Sequence, residues 1–340
     1  MKMEKVVLVG CGGMANVWID EALKREDVEV VALVDLYVET AKRFAEKKQV
    51  SIPIFSNLSE AIEETKPTII FDVTIPASHK EVATTGLLAG LHVFGEKPMA
   101  ESIQDAKELV HLTEKTENNY FIMQNRRYVK GVRAIEQYLK DGHLGKLGSV
   151  HTDFFIGPHF GGFRELMKNP LLVDMAIHTF DQARFMIGAD PVAVYCHEFN
   201  PPGSWFQHPS SAICIFEMSD GTVFSYRGSW SAEGFETSWE ADWRFVGTKG
   251  TLKWDGTSSP KAAIVRPSEE QVFLNESEVI EIPLNWKGRE GHLGCLDEMF
   301  LALKENRKAE TDCSDNIKSL AMVLSAVESA QKGEKVQISW

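Results

Sequence analysis

The chain has 340 residues, 44% hydrophobic and 25% charged. That is enough apolar material for roughly two globular domains, and it excludes disordered, collagen-like and small disulfide-scaffold proteins. Lysine and arginine number 36 against 49 acidic residues, a net charge of −13, so nothing general draws the chain to nucleic acid or an anionic membrane.

The first third alternates β-branched runs with helical stretches. Val6–Val9, Val28–Val34, Thr68–Ile75, His92–Phe94 and Phe121–Met123 read as strands. Helical segments such as 15–25 and 38–48 lie between them. Continuous apolar strands separated by helices predict a doubly wound parallel sheet covered on both faces. Near residue 125 the pattern changes. After a helix over 131–139, alternating strands follow at 150–156, 212–218, 223–230 and 243–246. Alternation predicts a mainly antiparallel sheet with one face on helices. Helices are expected at 291–305 and 315–331. The predicted organisation is a Rossmann domain over 1–124 and an α+β domain over 125–340, the latter a large, open sheet backed by helices.

Gly10-Cys11-Gly12-Gly13-Met14-Ala15 matches G-x-G-x-x-G/A between a strand and a helix, as phosphate binding requires. Gly10 permits the tight turn, Gly12 lets the backbone approach a pyrophosphate, and Ala15 packs helix on strand. Gly13 and Met14 complete the loop, and the helix N-terminus offers free N–H groups to anions. Asp35 ends the second strand, 20 residues beyond Ala15, where a carboxylate accepts from ribose hydroxyls and repels a 2′-phosphate. The expected cofactor is NAD rather than NADP. Cys11 reads as a small filler of the turn, the alternative being a reactive thiol.

Lys97 follows the strand 92–94, at the strand end that lines the crevice in open α/β sheets, and it can stabilise a developing alkoxide; a surface lysine beside Pro98 fits equally well. Asp174 and His178 stand four residues apart in a predicted helix and so share a face. His178 is a candidate general acid or base and Asp174 its orienter or a hydroxyl ligand. A self-satisfied helical Asp–His pair is the alternative, with Asp181 as a supporting carboxylate. No second close ligand pair supports a metal.

Together these segments resemble the glucose–fructose oxidoreductase, inositol dehydrogenase and rhizopine-catabolism (Gfo/Idh/MocA) family. The resemblance rests on residues 9–15, on Asp72-Val73-Thr74-Ile75-Pro76 with His79, and on Gly90 to Pro98. It continues in Asp174 to Asp181 and in Phe245 to Leu252. It implies a catalytic set of Lys97, Asp174 and His178. It also implies cofactor contacts from Thr74, Pro76, His79, Glu96 and Lys97, and a cis bond between Lys97 and Pro98. Arg127 resembles the arginine of the family's Arg-aromatic pair, where substrate contact and a structural role at the domain junction fit equally well; His159, in a loop with Gly161 and Gly162, is a further candidate substrate contact. Ala77 replaces a usual asparagine. Asn169-Pro170-Leu171-Leu172-Val173 replaces a glycine-rich approach to Asp174, and Ala176 replaces a glycine.

The implied activity is hydride transfer between NAD(P) and a secondary alcohol of a sugar, polyol or inositol-like substrate. An NAD-dependent glycosidase using transient oxidation and a non-catalytic NAD(H)-binding regulator are the alternatives. Seven of the eight tryptophans lie beyond residue 200, which suggests an oligomer interface. A homodimer or homotetramer through the open sheet is therefore expected. Scattered cysteines, odd in number and without a C-x-x-C pair, fit free thiols in the cytoplasm. No signal-peptide core is apparent, nor any apolar run of the ~18 residues that span a bilayer.

Overall fold

A computed structural model describes residues 3–268, 270 and 272–340. The chain divides into two compact units. The first comprises residues up to Gln124 together with His292–Leu320, and the second comprises Asn125–Gly291 and Ala321–Trp340. Residues 292–320 therefore cluster with the first unit, although sequence order places them in the second domain. The reason is apolar: Phe300, on the helix Gly291–Lys304, meets Phe71 at 6.0 Å and Phe94 at 5.2 Å, edge to face.

The first unit holds strands β1 (Glu4–Val9), β2 (Val28–Val34), β3 (Ile54–Phe55), β4 (Ile69–Asp72), β5 (His92–Gly95) and β6 (Tyr120–Ile122). All pair in parallel, in the order β3-β2-β1-β4-β5-β6. Helices α1 (Ala15–Ala22), α2 (Val38–Lys48), α3 (Leu58–Thr65), α4 (Pro76–Leu88) and α5 (Ile103–Thr116) form the crossovers. Local chemistry fixes their ends. Asn57 caps α3 and Ser102 caps α5, each accepting a backbone N–H three residues on. α2 carries Glu39 in its first turn and Lys47 and Lys48 in its last, complementing the helix dipole. The strand order reverses between β1 and β4, so the loops leaving these two strands flank a crevice.

The second unit holds α6 (Lys130–Lys140), β7 (Leu147–Phe155), α7 (Phe163–Leu166), a π-helical turn over Leu171–Ala176 and α8 (Ile177–Ile187). Strands β8 (Pro191–Phe199), β9 (Ser211–Met218), β10 (Val223–Ser229), β11 (Asp242–Gly247), β12 (Gly250–Trp254), β13 (Lys261–Arg266), β14 (Glu276–Glu281) and β15 (Val336–Gln337) complete it. They form a nine-stranded sheet, β14-β13-β12-β11-β7-β10-β9-β8-β15, antiparallel except for β10 with β7.

Phe180 of α8 packs on Phe216 (4.8 Å) and Tyr226 (5.3 Å), so α8 covers one face of the sheet. Of the seven tryptophans beyond residue 200, three turn inward, while Trp239 and Trp340 stay exposed. Trp230 and Trp243 are each 2% exposed, and Trp254 is also buried, so these three fill this chain's own core and leave nothing for an interface. The opposite face carries Tyr195, Ile213 and Ile215 beside a charged field. There Asp153, Arg227, Asp242, Arg244 and Lys253 line an open cavity of about 1100 Å³.

The predicted helix over 171–181 is in fact the π turn followed by α8. Asn169 precedes it with φ +51°, a left-handed position that asparagine tolerates, and its amide donates to the Glu198 carboxylate. Burial pushes the Glu198 carboxyl from 4.5 up to about 7 against the opposing effect of that hydrogen bond. Between about pH 4.5 and 7 the folded protein therefore keeps a proton the unfolded chain has lost. Stability falls as pH rises through that window and levels off above it. Glu198→Gln should raise the melting temperature at pH 8 by about 2–4 °C relative to its effect at pH 4. Thermal unfolding at both pH values checks this, and an equal shift at both would contradict it.

Candidate active site

At the end of β1, Gly10 has φ +88°, and a Cβ there would lie 2.7 Å from the carbonyl oxygen of Val73, just past β4. Only glycine fits this contact between the two crevice loops. Gly12 and Gly13 face open space, with nothing within 4 Å of where a Cβ would stand. No side chain caps α1 at Met14; in its first turn Asn16 N and Val17 N donate back to Gly13 O (3.3 Å) and Met14 O (3.1 Å), and the positive end of the helix dipole faces the crevice side of the turn, which favours an anion. Ala15 is fully buried where helix meets strand. The Asp35 carboxylate accepts from Cys11 N and Tyr37 N, both at 2.9 Å, which ties the end of β2 to the glycine turn. Met14, Leu36, Tyr37 and Ile75 are exposed around this crevice, an apolar rim that a dinucleotide can cover. The residues fit NAD. Cys11 is silent: burial, then the Asp35 charge, push its thiol up to about 12.

Beyond β4, Thr74 Oγ1 donates to Asp72 Oδ1 at 2.6 Å, and His79 Nδ1 lies 2.8 Å from Asp72 Oδ2. Both side chains thus brace the loop, with His79 fully buried and Pro76 exposed at the start of α4. Glu96 accepts from Trp18 Nε1 at 2.8 Å and is buried. Lys97 follows, half-buried, and its bond to Pro98 is cis.

In the second unit, Asp174 lies in the π turn and His178 in the first turn of α8. Such turns recur at functional sites because they re-aim side chains. His178 is 9% exposed and Asp174 half-buried. Arg164 Nε donates to Asp174 Oδ2 at 2.8 Å, a partner with no spacing signal in the sequence. Arg127 is buried in a fork on Asp181, Nε to Oδ2 and Nη2 to Oδ1, both at 2.7 Å. Breaking such a buried pair costs about 3–5 kcal/mol, so the guanidinium fastens α8. His159 stacks on Trp205 at 3.9 Å and meets Glu233 Oε1 at 2.9 Å.

A doubly wound parallel sheet with a glycine turn after its first strand and an acidic residue just past its second defines a dinucleotide-binding domain. Residues 4–124 match the family profile described as "Oxidoreductase family, NAD-binding Rossmann fold", and residues 132–253 match the "GFO/IDH/MocA C-terminal domain". The chain belongs to the Gfo/Idh/MocA family and is an NAD-binding oxidoreductase.

Among its relatives, the 1,5-anhydro-D-fructose reductase of Ensifer adhaerens is 21% identical, the match covering 99% of both chains. A D-apiose dehydrogenase of Paraburkholderia graminis is 23% identical over 99% of this chain and 90% of its own. The crystal structure of an Agrobacterium radiobacter oxidoreductase, in complex with NAD+, L-tartaric acid and magnesium, superposes with a TM-score of 0.85 at 19% identity. That match covers 99% of this chain and 98% of the other.

If Asp35 holds the ribose as well as the turn, Asp35→Ala should weaken NAD binding by roughly 10- to 100-fold, the range for losing hydrogen bonds to a charged group. Calorimetric titration with NAD measures it, and an unchanged Kd would refute the role.

Proposed function

We propose that this protein reversibly oxidises a secondary alcohol of a sugar or polyol, with the first unit binding the cofactor and the second the substrate. One observation carries the reading. Lys97 lies two residues past the end of β5, and β5 is next in sheet order to β4, which borders the crevice that Gly10 and Asp35 define. An ammonium so placed suits a developing alkoxide. The sugar class is supported by relatives named for anhydrofructose reduction and apiose oxidation.

In this reading His178 takes the hydroxyl proton, Lys97 stabilises the oxyanion, and Asp174 holds a neighbouring hydroxyl. NAD, when bound, accepts the hydride. The protein supplies orientation and electrostatics. Thr74 and His79 shape the cofactor loop through Asp72. Lys97→Met and His178→Ala should each lower turnover roughly 10²-fold or more, as loss of proton transfer does. The measurement is NADH absorbance over a panel of polyols, aldoses and inositols; near-normal turnover in either variant with NAD bound removes the mechanism.

We also infer a cytoplasmic homo-oligomer built on the open sheet face. Free thiols at all five cysteines support the compartment. Tyr195, Ile213 and Ile215 are 43%, 42% and 46% exposed, an apolar patch that water disfavours. Beside it run an acidic pair, Asp153 and Asp242, and a basic pair, Arg244 and Lys253, which suit a two-fold partner meeting opposite charge. Light scattering at micromolar protein should give a dimer or tetramer, and Ile213→Asp with Ile215→Asp should give a folded monomer. A monomeric native protein would end this reading.

A further inference from the structure

Arg164 is held in an unusual way. It sits on α7, directly after Gly161 and Gly162, whose φ of +65° and +64° turn the chain sharply. Its guanidinium lies over the rings of Phe160 (5.2 Å) and Phe163 (4.9 Å), while its Nε edge is occupied by Asp174. The loop itself is anchored. Gly161 N donates to Glu165 Oε1 at 2.7 Å, Gln207 N to Glu165 O at 2.8 Å, and Trp205 Nε1 to Pro158 O at 3.1 Å. Phe160 packs edge-on against Trp230 at 5.1 Å.

Among the described residues, no protein group accepts from Nη1 or Nη2 of Arg164, and its side chain is 39% exposed. Two rings and a carboxylate thus fix the plane of a cation whose far edge has no protein acceptor. A surface arginine ordinarily keeps its rotamer freedom, and immobilising it costs entropy that needs a return. The far edge of a flat guanidinium offers two parallel N–H donors, spaced for the two oxygens of a carboxylate; a hydroxyl uses only one of them. The neighbouring acids are already engaged: Asp174 by Nε, Glu165 by Gly161, and Glu233 by His159. In a chain of net charge −13, an anionic substrate needs such a local cation.

We propose that Arg164 is a specificity-determining residue that binds a substrate carboxylate, so that the preferred substrates are sugar acids rather than neutral sugars. The inference rests on the reading of Asp174 and His178 as substrate-site residues. Asp174 then orients a hydroxyl while Arg164 grips the acid group beside it.

The test compares matched pairs, aldonates against alditols and uronates against aldoses, with NAD and the full-length protein. The native enzyme should favour the acid in kcat/KM by about tenfold or more. Arg164→Ala should lower kcat/KM for the acid by roughly 10- to 100-fold, mainly through KM, and collapse that preference. Arg164→Lys keeps the charge without the fork and should fall between. A native preference for the neutral partner, or an equal loss on both partners, overturns the proposal. The equal loss would mean that Arg164 only positions Asp174. If the native enzyme turns over no pair, the hydride-transfer reading fails. Calorimetry of the same acids with NAD-loaded protein then decides the inference separately: acid binding lost in Arg164→Ala supports it, and no acid binding to the native protein overturns it.

Discussion

At Gly10 the backbone leaving β1 passes so close to the Val73 carbonyl that a side chain cannot stand between them. This contact lies where the strand order reverses, and it fixes the spacing of the two loops that border the crevice. Other features refer to it. The β2 end is tied to the same turn through Asp35 and Cys11, and the β4 loop is stiffened by Asp72 gripping Thr74 and His79. Trp18 of α1 reaches Glu96, so the helix that begins at the glycine turn also holds the residue before Lys97. Cradle and candidate catalytic ammonium are therefore parts of one braced surface.

The second unit solves a different problem, holding a carboxylate and an imidazole on a helix that begins irregularly. α8 is fastened by the Arg127–Asp181 fork and by Phe180 packing on Phe216 and Tyr226. With the regular helix fixed, the π turn before it can carry the unfavourable geometry. Asn169 takes the left-handed position at its entry, and Glu198 holds the asparagine amide. Burial of ionisable groups is thus spent on the scaffold. The thiols of Cys11 and Cys313 are both driven to about 12, which removes them as competing nucleophiles.

Much of this was legible in the sequence because it depends on local chemistry. A glycine at a strand end, a carboxylate ending the next strand and β-branched runs between helices each carry their structural reason in their own residues. The period-2 strands of the second unit were legible for the same reason. What was hidden depends on distant partners. Strand β3 is two residues long and has no period to read. The π turn differs from an α-helix by one residue in its hydrogen bonding, which no apolar spacing reveals. Trp230, Trp243 and Trp254 looked like interface material because composition does not say which sheet face a residue meets. Residues 292–320 follow the second unit in the chain but find their apolar surface at Phe71 and Phe94.

Arg164 belongs to the hidden group, and its case shows what coordinates add. In the sequence it is one arginine in Gly161-Gly162-Phe163-Arg164-Glu165, with no motif and no periodic partner. In the structure it joins the anchored Gly161–Gly162 turn to the least regular part of the candidate site, through one carboxylate and two rings. Asp174 alone would be an acceptor whose orientation depends on a π turn; paired, it becomes half of an acceptor–donor couple. That couple departs from the glycine-rich approach that the family resemblance implies, at the same segment where Asn169 and Pro170 stand. Changes in backbone and in side-chain partner coincide there. A site that gives up glycine's freedom before its aspartate needs another means of setting the carboxylate, and the stacked guanidinium provides it.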